Sequence, residues 1–194
     1  MSNGFRFDEA AHIYRIGDRV LPHVTEVLKE AGLVKVWNED DQAARDRGAS
    51  VHLACAYFDE GDLDWESVPS EHDGYIEAWR KFQQESGFLV QQIEKPVCDE
   101  TYGWAGRLDR TGITRAGAKA VLEIKTGAIQ PFTALQLVAY GEMLFGHAVE
   151  RFAVQLKPDG AYTTQYYPIS EWRADLRTFH SCCRVAAWKK EHGL

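Results

Sequence analysis

The sequence is short of cysteine. It has four in 194 residues, Cys55, Cys98, Cys182 and Cys183, and no C-x-x-C spacing. A chain of this length does not need disulfide staples, and the adjacent pair Cys182–Cys183 cannot direct both thiols at one metal from a helix. A zinc site is therefore unsupported, and reduced, partly buried thiols are expected. No apolar run approaches the ~20 residues that a membrane span needs. The opening MSNGFRFDEA is acidic and has no apolar core of a secretory signal, so the default expectation is a cytoplasmic protein without membrane contact. Internal repeats and low-complexity stretches are missing. So is G-x-S-x-G, and the Cys and His residues show no recognised pairing, which leaves a Ser or Cys hydrolase unsupported.

What is present is globular in character. Hydrophobic residues are 45% and charged residues 26% of the chain. That balance excludes a disordered chain, a collagen and a coiled-coil rod. The length fits one domain. The net charge of −7 is unevenly spread. Residues 1–100 hold 10 Lys and Arg against 21 Asp and Glu, or −11, and residues 101–194 hold 12 against 8, or +4. Whole-chain acidity bears on solubility and steering and does not decide what one groove binds. In the first half the acids read as a cover for solvated helices.

The spacing predicts a hairpin from Phe5–Phe7 and His12–Ile16. A short helix follows with Val24, Val27, Leu28 and Ala31 on one face, stopped at Gly32. A second helix spans residues 40–60. A third carries Tyr75, Ile76, Trp79 and Phe82, with Ser70 and Asp73 as a capping box and Gly87 as its stop. Near Phe88 the period changes from 3.6 to 2. Strands are expected over Phe88–Val97, Trp104–Ile113 and Ala120–Lys125, as an antiparallel meander. A helix opens at Pro131 and runs to about Phe145. A hairpin joins Phe152–Leu156 to Ala161–Tyr167 through Pro158-Asp-Gly, and Ser170 caps a last helix built on Trp172, Leu176, Phe179 and Cys183. The three parts are a hairpin and helices (1–87), a core (88–157) and a closing strand and helix (158–194), with no linker between them.

The chemistry concentrates in Gly106-Arg107-Leu108-Asp109 and Leu122-Glu123-Ile124-Lys125-Thr126-Gly127. Alternation puts Glu123 and Lys125 on one face of a strand and Leu122 and Ile124 on the other. Asp109, on the preceding strand, can stand beside Glu123. Two close carboxylates repel unless something neutralises them, and a hard divalent cation such as Mg²⁺ does so. Lys125 can then hold an attacking water, a grouping suited to phosphodiester hydrolysis. The same residues also read as a solvated cross-strand ion pair. Gln136 and Tyr140, four apart, share a helical face that can look into the same cleft. His52 can offer a nitrogen ligand or sit as an ordinary helix histidine. Arg45 and Arg47 lie nearby as phosphate contacts or as solvated charge. Val90, Gln92 and Glu94 alternate on one face, which makes Glu94 a third acid or an edge-strand surface residue. Arg107, Arg110 and Lys119 are candidates for DNA phosphates, and Tyr102 and Trp104 for a stacked base or for the core.

Taken in order, Arg47-Gly48-x-x-x-His52, Ile93-Glu94-Lys95-Pro96-Val97, Ala105-Gly-Arg-Leu-Asp109, Leu122-Glu-Ile-Lys-Thr-Gly127 and Gln136-Leu-Val-Ala-Tyr140 resemble the PD-(D/E)XK nuclease superfamily, in its RecB-like and phage exonuclease branch. Leu21 to Leu28 resembles the opening of phage-type members. The likeness spans roughly residues 12–157. It implies an α/β fold with a restriction-endonuclease-like core (αβββαβ), a central mixed β-sheet flanked by helices. It implies Mg²⁺ or Mn²⁺ held by His52, Asp109, Glu123 and the backbone carbonyl of Ile124. It implies catalysis by Asp109, Glu123 and Lys125 with Glu94 as an additional acid, and DNA contacts from Gln136, Tyr140, Arg107 and Arg47. Glu123 stands where many relatives carry Asp, which the E-x-K pattern permits. Branch members with an iron–sulfur cluster use one early and three late cysteines, a set this chain lacks, so no cluster is expected.

The function implied is a metal-dependent DNase, an exonuclease on linear DNA in phage or bacterial recombination or DNA processing, active in the cytoplasm (that of the host if phage-encoded). Its DNA can be single- or double-stranded. The alternative is a catalytically silent nuclease fold that holds DNA or a recombination partner protein without cutting. A homo-oligomer or a complex with a recombination partner protein is compatible with either reading.

Overall fold

The change of period near residue 88 marks the start of the main sheet. The structure, a computed structural model, describes residues 4–34 and 42–194. The expected helix start at residue 40 lies outside them. Three short strands come first: β1 (Phe5–Asp8), β2 (Ile13–Ile16) and β3 (Arg19–Leu21). They form an antiparallel sheet in the order β1-β2-β3. Only the first pair was legible as a hairpin, because the three residues of β3 are too few to show alternation. Helices α1 (Val24–Glu30), α2 (Gln42–Glu60) and α3 (Asp73–Ser86) follow.

The five-stranded sheet runs β4-β5-β6-β7-β8, with β4 (Leu89–Asp99), β5 (Trp104–Ile113), β6 (Lys119–Lys125), β7 (Glu150–Leu156) and β8 (Tyr162–Tyr167). Pairing is antiparallel except between β6 and β7, which are parallel. A parallel pair needs a crossover, and α4 (Thr133–Phe145) supplies it. Helix α5 (Trp172–His192) ends the chain. The fold is therefore mixed α/β, with a five-stranded mixed sheet flanked by helices.

Two apolar layers hold it. One packs Leu122, Ile124, Val154 and Leu156 under α2 and α3, against Val51, Ile76, Trp79 and Phe82. The other packs Val121, Leu108 and Ala153 against α1, α4 and α5. Helix α4 is buried from Leu135 through Gly141 because it lies between the sheet and α5, so its apolar residues encircle it. Gly87 closes α3 at φ 68°, a left-handed turn where its N–H returns to Gln83 O.

Two expected caps are absent. Ser70–His72 is a single 3-10 turn and α3 begins at Asp73, its N-cap being His72 with no side-chain bond. Ile169–Glu171 is likewise a 3-10 turn, so Ser170 does not cap α5. In both cases a proline, Pro69 or Pro168, sets up the tight turn and the backbone bonds back to it, leaving the serine no role. Pro131 stands two residues ahead of α4 rather than at its first position.

The cap that does form is His23 on α1. Its Nδ1 accepts from Glu26 N–H at 3.3 Å, and the Glu26 carboxylate accepts from His23 N–H at 3.3 Å. Only a neutral ring can accept. Burial holds the imidazole below its ordinary pKa of 6.5, against the pull of Glu26. The cap is thus fully in place above the unfolded value and is lost as pH falls through the folded one. Such a cap contributes about 1 kcal/mol. His23→Ser caps without titrating, so its stability should match that of the parent near neutral pH and exceed it at about pH 5, by chemical denaturation.

Candidate active site

The β5–β6 ladder is registered from Ile113–Lys119 to Arg110–Leu122. Past that pair the two strands no longer share rungs. Beyond it, β5 takes a different neighbour: Ala105 N–H donates to Pro22 O at 3.0 Å and a parallel bridge joins His23 to Ala105. The N-terminal segment and α1 therefore enter the fork between β5 and β6. Ile124 N–H, left without a rung, donates to Asp109 Oδ2 at 2.7 Å. Asp109 is buried there, one step past the last rung and next to Glu123.

Glu123 and Lys125 share the α4 side of β6, as alternation requires. Lys125 Nζ donates to Glu123 Oε2 at 2.7 Å and to Gln136 Oε1 at 3.3 Å. The Gln136 amide is oriented from behind, since its Nε2 donates to Thr25 Oγ1 of α1 at 3.1 Å. Tyr140 is buried, and burial, with Glu123 and Asp109 close by, pushes its phenol well above 10. Its ring comes close to β5: a Cβ on Gly106 would come within 2.5 Å of Tyr140 Cε1. Gly106→Ala should thus displace the ring and destabilise the protein by about 1–3 kcal/mol, read by urea denaturation.

From the other side α2 brings His52. Its Nδ1 is 3.5 Å from Asp109 Oδ1 and 3.7 Å from Glu94 Oε1, while Nε2 is 3.1 Å from Ile124 O. Burial opposes charge on this ring, but the two carboxylates outweigh it and raise its pKa to about 10. A carbonyl oxygen only accepts, so Nε2–H donates to Ile124 O whichever state Nδ1 is in. Burial would raise Asp109; His52 and Lys125, with the Ile124 N–H, instead hold it well below the usual carboxylate range. Glu123 goes the other way. Burial first, then the nearby Asp109 charge, raise it to about 7, against the pull of Lys125. Two neighbouring acids are thus driven apart in proton affinity by their surroundings, as at sites that handle protons.

Glu94 reaches the cluster by an irregular route. The β4–β5 register shifts at Val90–Gln92, and Glu94 has φ 45°, in the left-handed region. The simple alternation of Val90, Gln92 and Glu94 is therefore broken, and Glu94 turns inward opposite Asp109. Its Oε1 accepts from Arg110 and its Oε2 from Arg107, both at 3.1 Å. One donor atom each from His52, Glu94 and Asp109 lies within 4.8 Å of the others. An imidazole and two carboxylates, with the second ring nitrogen tied to a backbone carbonyl, are a donor set that Mn²⁺ or Mg²⁺ accepts. The residues present fit such an ion. Glu123 stands beside that trio, bonded to Lys125. Ile124 O, a ligand by resemblance, accepts from His52.

The remaining candidates divide. Arg107 is half-buried and bridges Glu94 and Glu9, its NH1 3.0 Å from Glu9 Oε1. Arg47 is half-buried on α2, and among the described residues its Nε has no hydrogen-bond partner. Arg45 bonds Gln42 on its own helix. Lys119 lies over Phe145. Arg110 is not a surface cation: it is fully buried beneath the cluster, because it pairs with Leu122 on the face that α2 and α3 cover. Trp104 is 2% exposed in the core under Phe179, so it cannot stack on a base, whereas Tyr102 is 61% exposed. The thiols are all free, Cys55 and Cys182 buried.

Sequence reading missed the parts of Thr25, Asp59 and Glu9. Asp59 carried a signal, since it stands seven residues after His52 and so on the same face of α2. A cleft opens beside His52 and Lys125, lined also by Thr126, Gly127 and Gln130 of the loop after β6. Among the described residues no helix is long and apolar enough to cross a membrane. Comparison with known protein families and with curated proteins finds no match to this chain.

Proposed function

We propose that this chain is a divalent-metal-dependent deoxyribonuclease that degrades linear DNA from its ends, on a restriction-endonuclease-like core. The observation that carries the reading is the convergence of Asp109, Glu123 and Lys125, from two neighbouring strands, with His52 and Glu94 from two further elements. The order α3-β4-β5-β6-α4-β7 supports the core assignment, being the αβββαβ sequence of elements. The His52, Asp109 and Glu94 trio, with Glu123 beside it, would hold Mg²⁺ or Mn²⁺. Bound there, the ion would supply positive charge at a phosphate and acidity to a water.

The chain's own groups have separable tasks. An ammonium has three donors. Lys125 uses one on Glu123 and one on Gln136 and keeps the third for a water or a phosphate oxygen. Lys125 only donates, so Gln136 turns its Oε1 toward it, and Thr25 Oγ1 holds the other end of the amide by accepting from Nε2, which keeps the ammonium aimed. Burial and the Asp109 charge raise the Glu123 carboxyl, so it takes a proton more readily than an ordinary carboxylate, while its Oε2 accepts from Lys125. The cleft beside His52 and Lys125 gives a strand access.

The test is end-labelled linear DNA, single- and double-stranded, and covalently closed circular DNA, each with Mg²⁺ or Mn²⁺, with Lys125→Ala as control. Linear DNA should be degraded, circles spared, and chelator or Lys125→Ala should stop the reaction. If parent and variant leave every substrate intact, or degrade them alike, the proposal is wrong.

A further inference from the structure

Beneath the cluster lie two charged residues that the proposed reaction does not use. Arg110 is fully buried and the Asp59 side chain is 1% exposed. Neither charge is tolerable there without the other. Arg110 Nε donates to Asp59 Oδ2 at 2.6 Å. Asp59 is itself anchored, since Oδ1 accepts from Trp79 Nε1 at 2.9 Å and from Gln83 Nε2, both on α3. The far side of the guanidinium faces the site. Its NH1 donates to Glu94 Oε1 at 3.1 Å and to Asp109 O at 2.7 Å.

Glu94 needs such a hold. Its φ of 45° is a conformation that a non-glycine residue keeps only where its surroundings enforce it. The competing hold, Arg107 on Oε2, is partly open to solvent and shared with the exposed Glu9. The dry contact comes from Arg110, and Asp59 fixes how Arg110 lies.

We propose that the Asp59–Arg110 pair is a positioning device: by holding the Glu94 carboxylate against Asp109 and His52, it sets how tightly these three residues take a divalent cation. This rests on the metal-site part of the reading above and is independent of DNA cleavage. Asp59 and Arg110 act through Glu94 and touch neither ion nor DNA.

The measurement is Mn²⁺ affinity by calorimetric titration of the whole chain, for the parent, Asp59→Asn, Glu94→Gln and the double variant. Asp59→Asn should weaken binding about 10-fold, the scale of partners that orient metal ligands. Glu94→Gln should weaken it at least as much. In the Glu94→Gln background Asp59→Asn should add almost nothing, because the group through which it acts is gone. Gln83→Met, which removes one donor to Asp59 from a half-buried position, should weaken binding in the same direction by less. It carries the same cycle if Asp59→Asn does not fold. Losses that simply add, affinity unchanged by both Asp59→Asn and Gln83→Met, or a parent that takes no Mn²⁺ would each overturn the proposal. A protein that shows this coupling but leaves DNA intact upholds the positioning role and sinks the nuclease. One that cleaves DNA with Mn²⁺ affinity indifferent to Asp59 and Gln83 does the reverse.

Discussion

Lys125→Ala should lower the single-turnover rate on linear DNA by roughly 10³-fold, the scale at which losing one aimed donor or proton handler slows an enzyme. The Mn²⁺-induced rise in melting temperature should persist, because Lys125 is no ligand and its removal leaves His52, Glu94 and Asp109 in place. The two readouts separate a catalytic cation from a structural one. Without the ammonium, only the His52 charge still opposes burial and the Asp109 charge at Glu123, so its carboxyl moves further up. Lys125→Arg should not restore the rate: a planar fork cannot sit between Glu123 Oε2 and Gln136 Oε1 and still present a third hydrogen in the same direction.

Asp109→Asn should abolish the stabilisation by metal. A ligand that binds only the folded chain adds about 2.7 kcal/mol at ~100 times its dissociation constant. The parent should show a gain of this size with Mn²⁺, and Asp109→Asn none. The amide oxygen still accepts from Ile124 N–H, so the metal-free variant should stay folded. Asp109→Ala removes that acceptor as well and leaves a buried N–H unpaired, a further loss of about 1–3 kcal/mol. Melting curves of the three proteins, with chelator and with Mn²⁺, check both statements. Equal metal-induced shifts in the parent and Asp109→Asn would remove Asp109 from the ligand set.

Much of the sheet was legible because its signals are local. Period-2 runs gave β4 to β6 within a few residues, and the alternation in β6 correctly put Glu123 and Lys125 opposite Leu122 and Ile124. The apolar stripe of α3 gave its buried face. Helix starts were not legible at Ser70 and Ser170, since a serine's preference for a cap competes with a proline-led turn that satisfies the same N–H groups. The placing of Glu94 was hidden for a different reason. A register shift and one left-handed residue turn it inward, and neither leaves a mark in composition. The burial of Arg110 was hidden too, because a guanidinium reads as surface until its acid partner, 51 positions away on α2, is known.

The parting of β5 from β6 has a consequence for how the molecule is assembled. The strand that carries Asp109 is completed on its open side by Pro22, so its amide at Ala105 is tied off only once a loop of roughly 80 residues has closed. Thr25 arrives with the same segment. Undocking of the first 30 residues would therefore loosen the Gln136 amide while most of the large sheet stayed intact. Deuterium uptake at Ala105, compared with that at Val121 in the middle of β6, would reveal such a partly opened species as a state distinct from the unfolded chain.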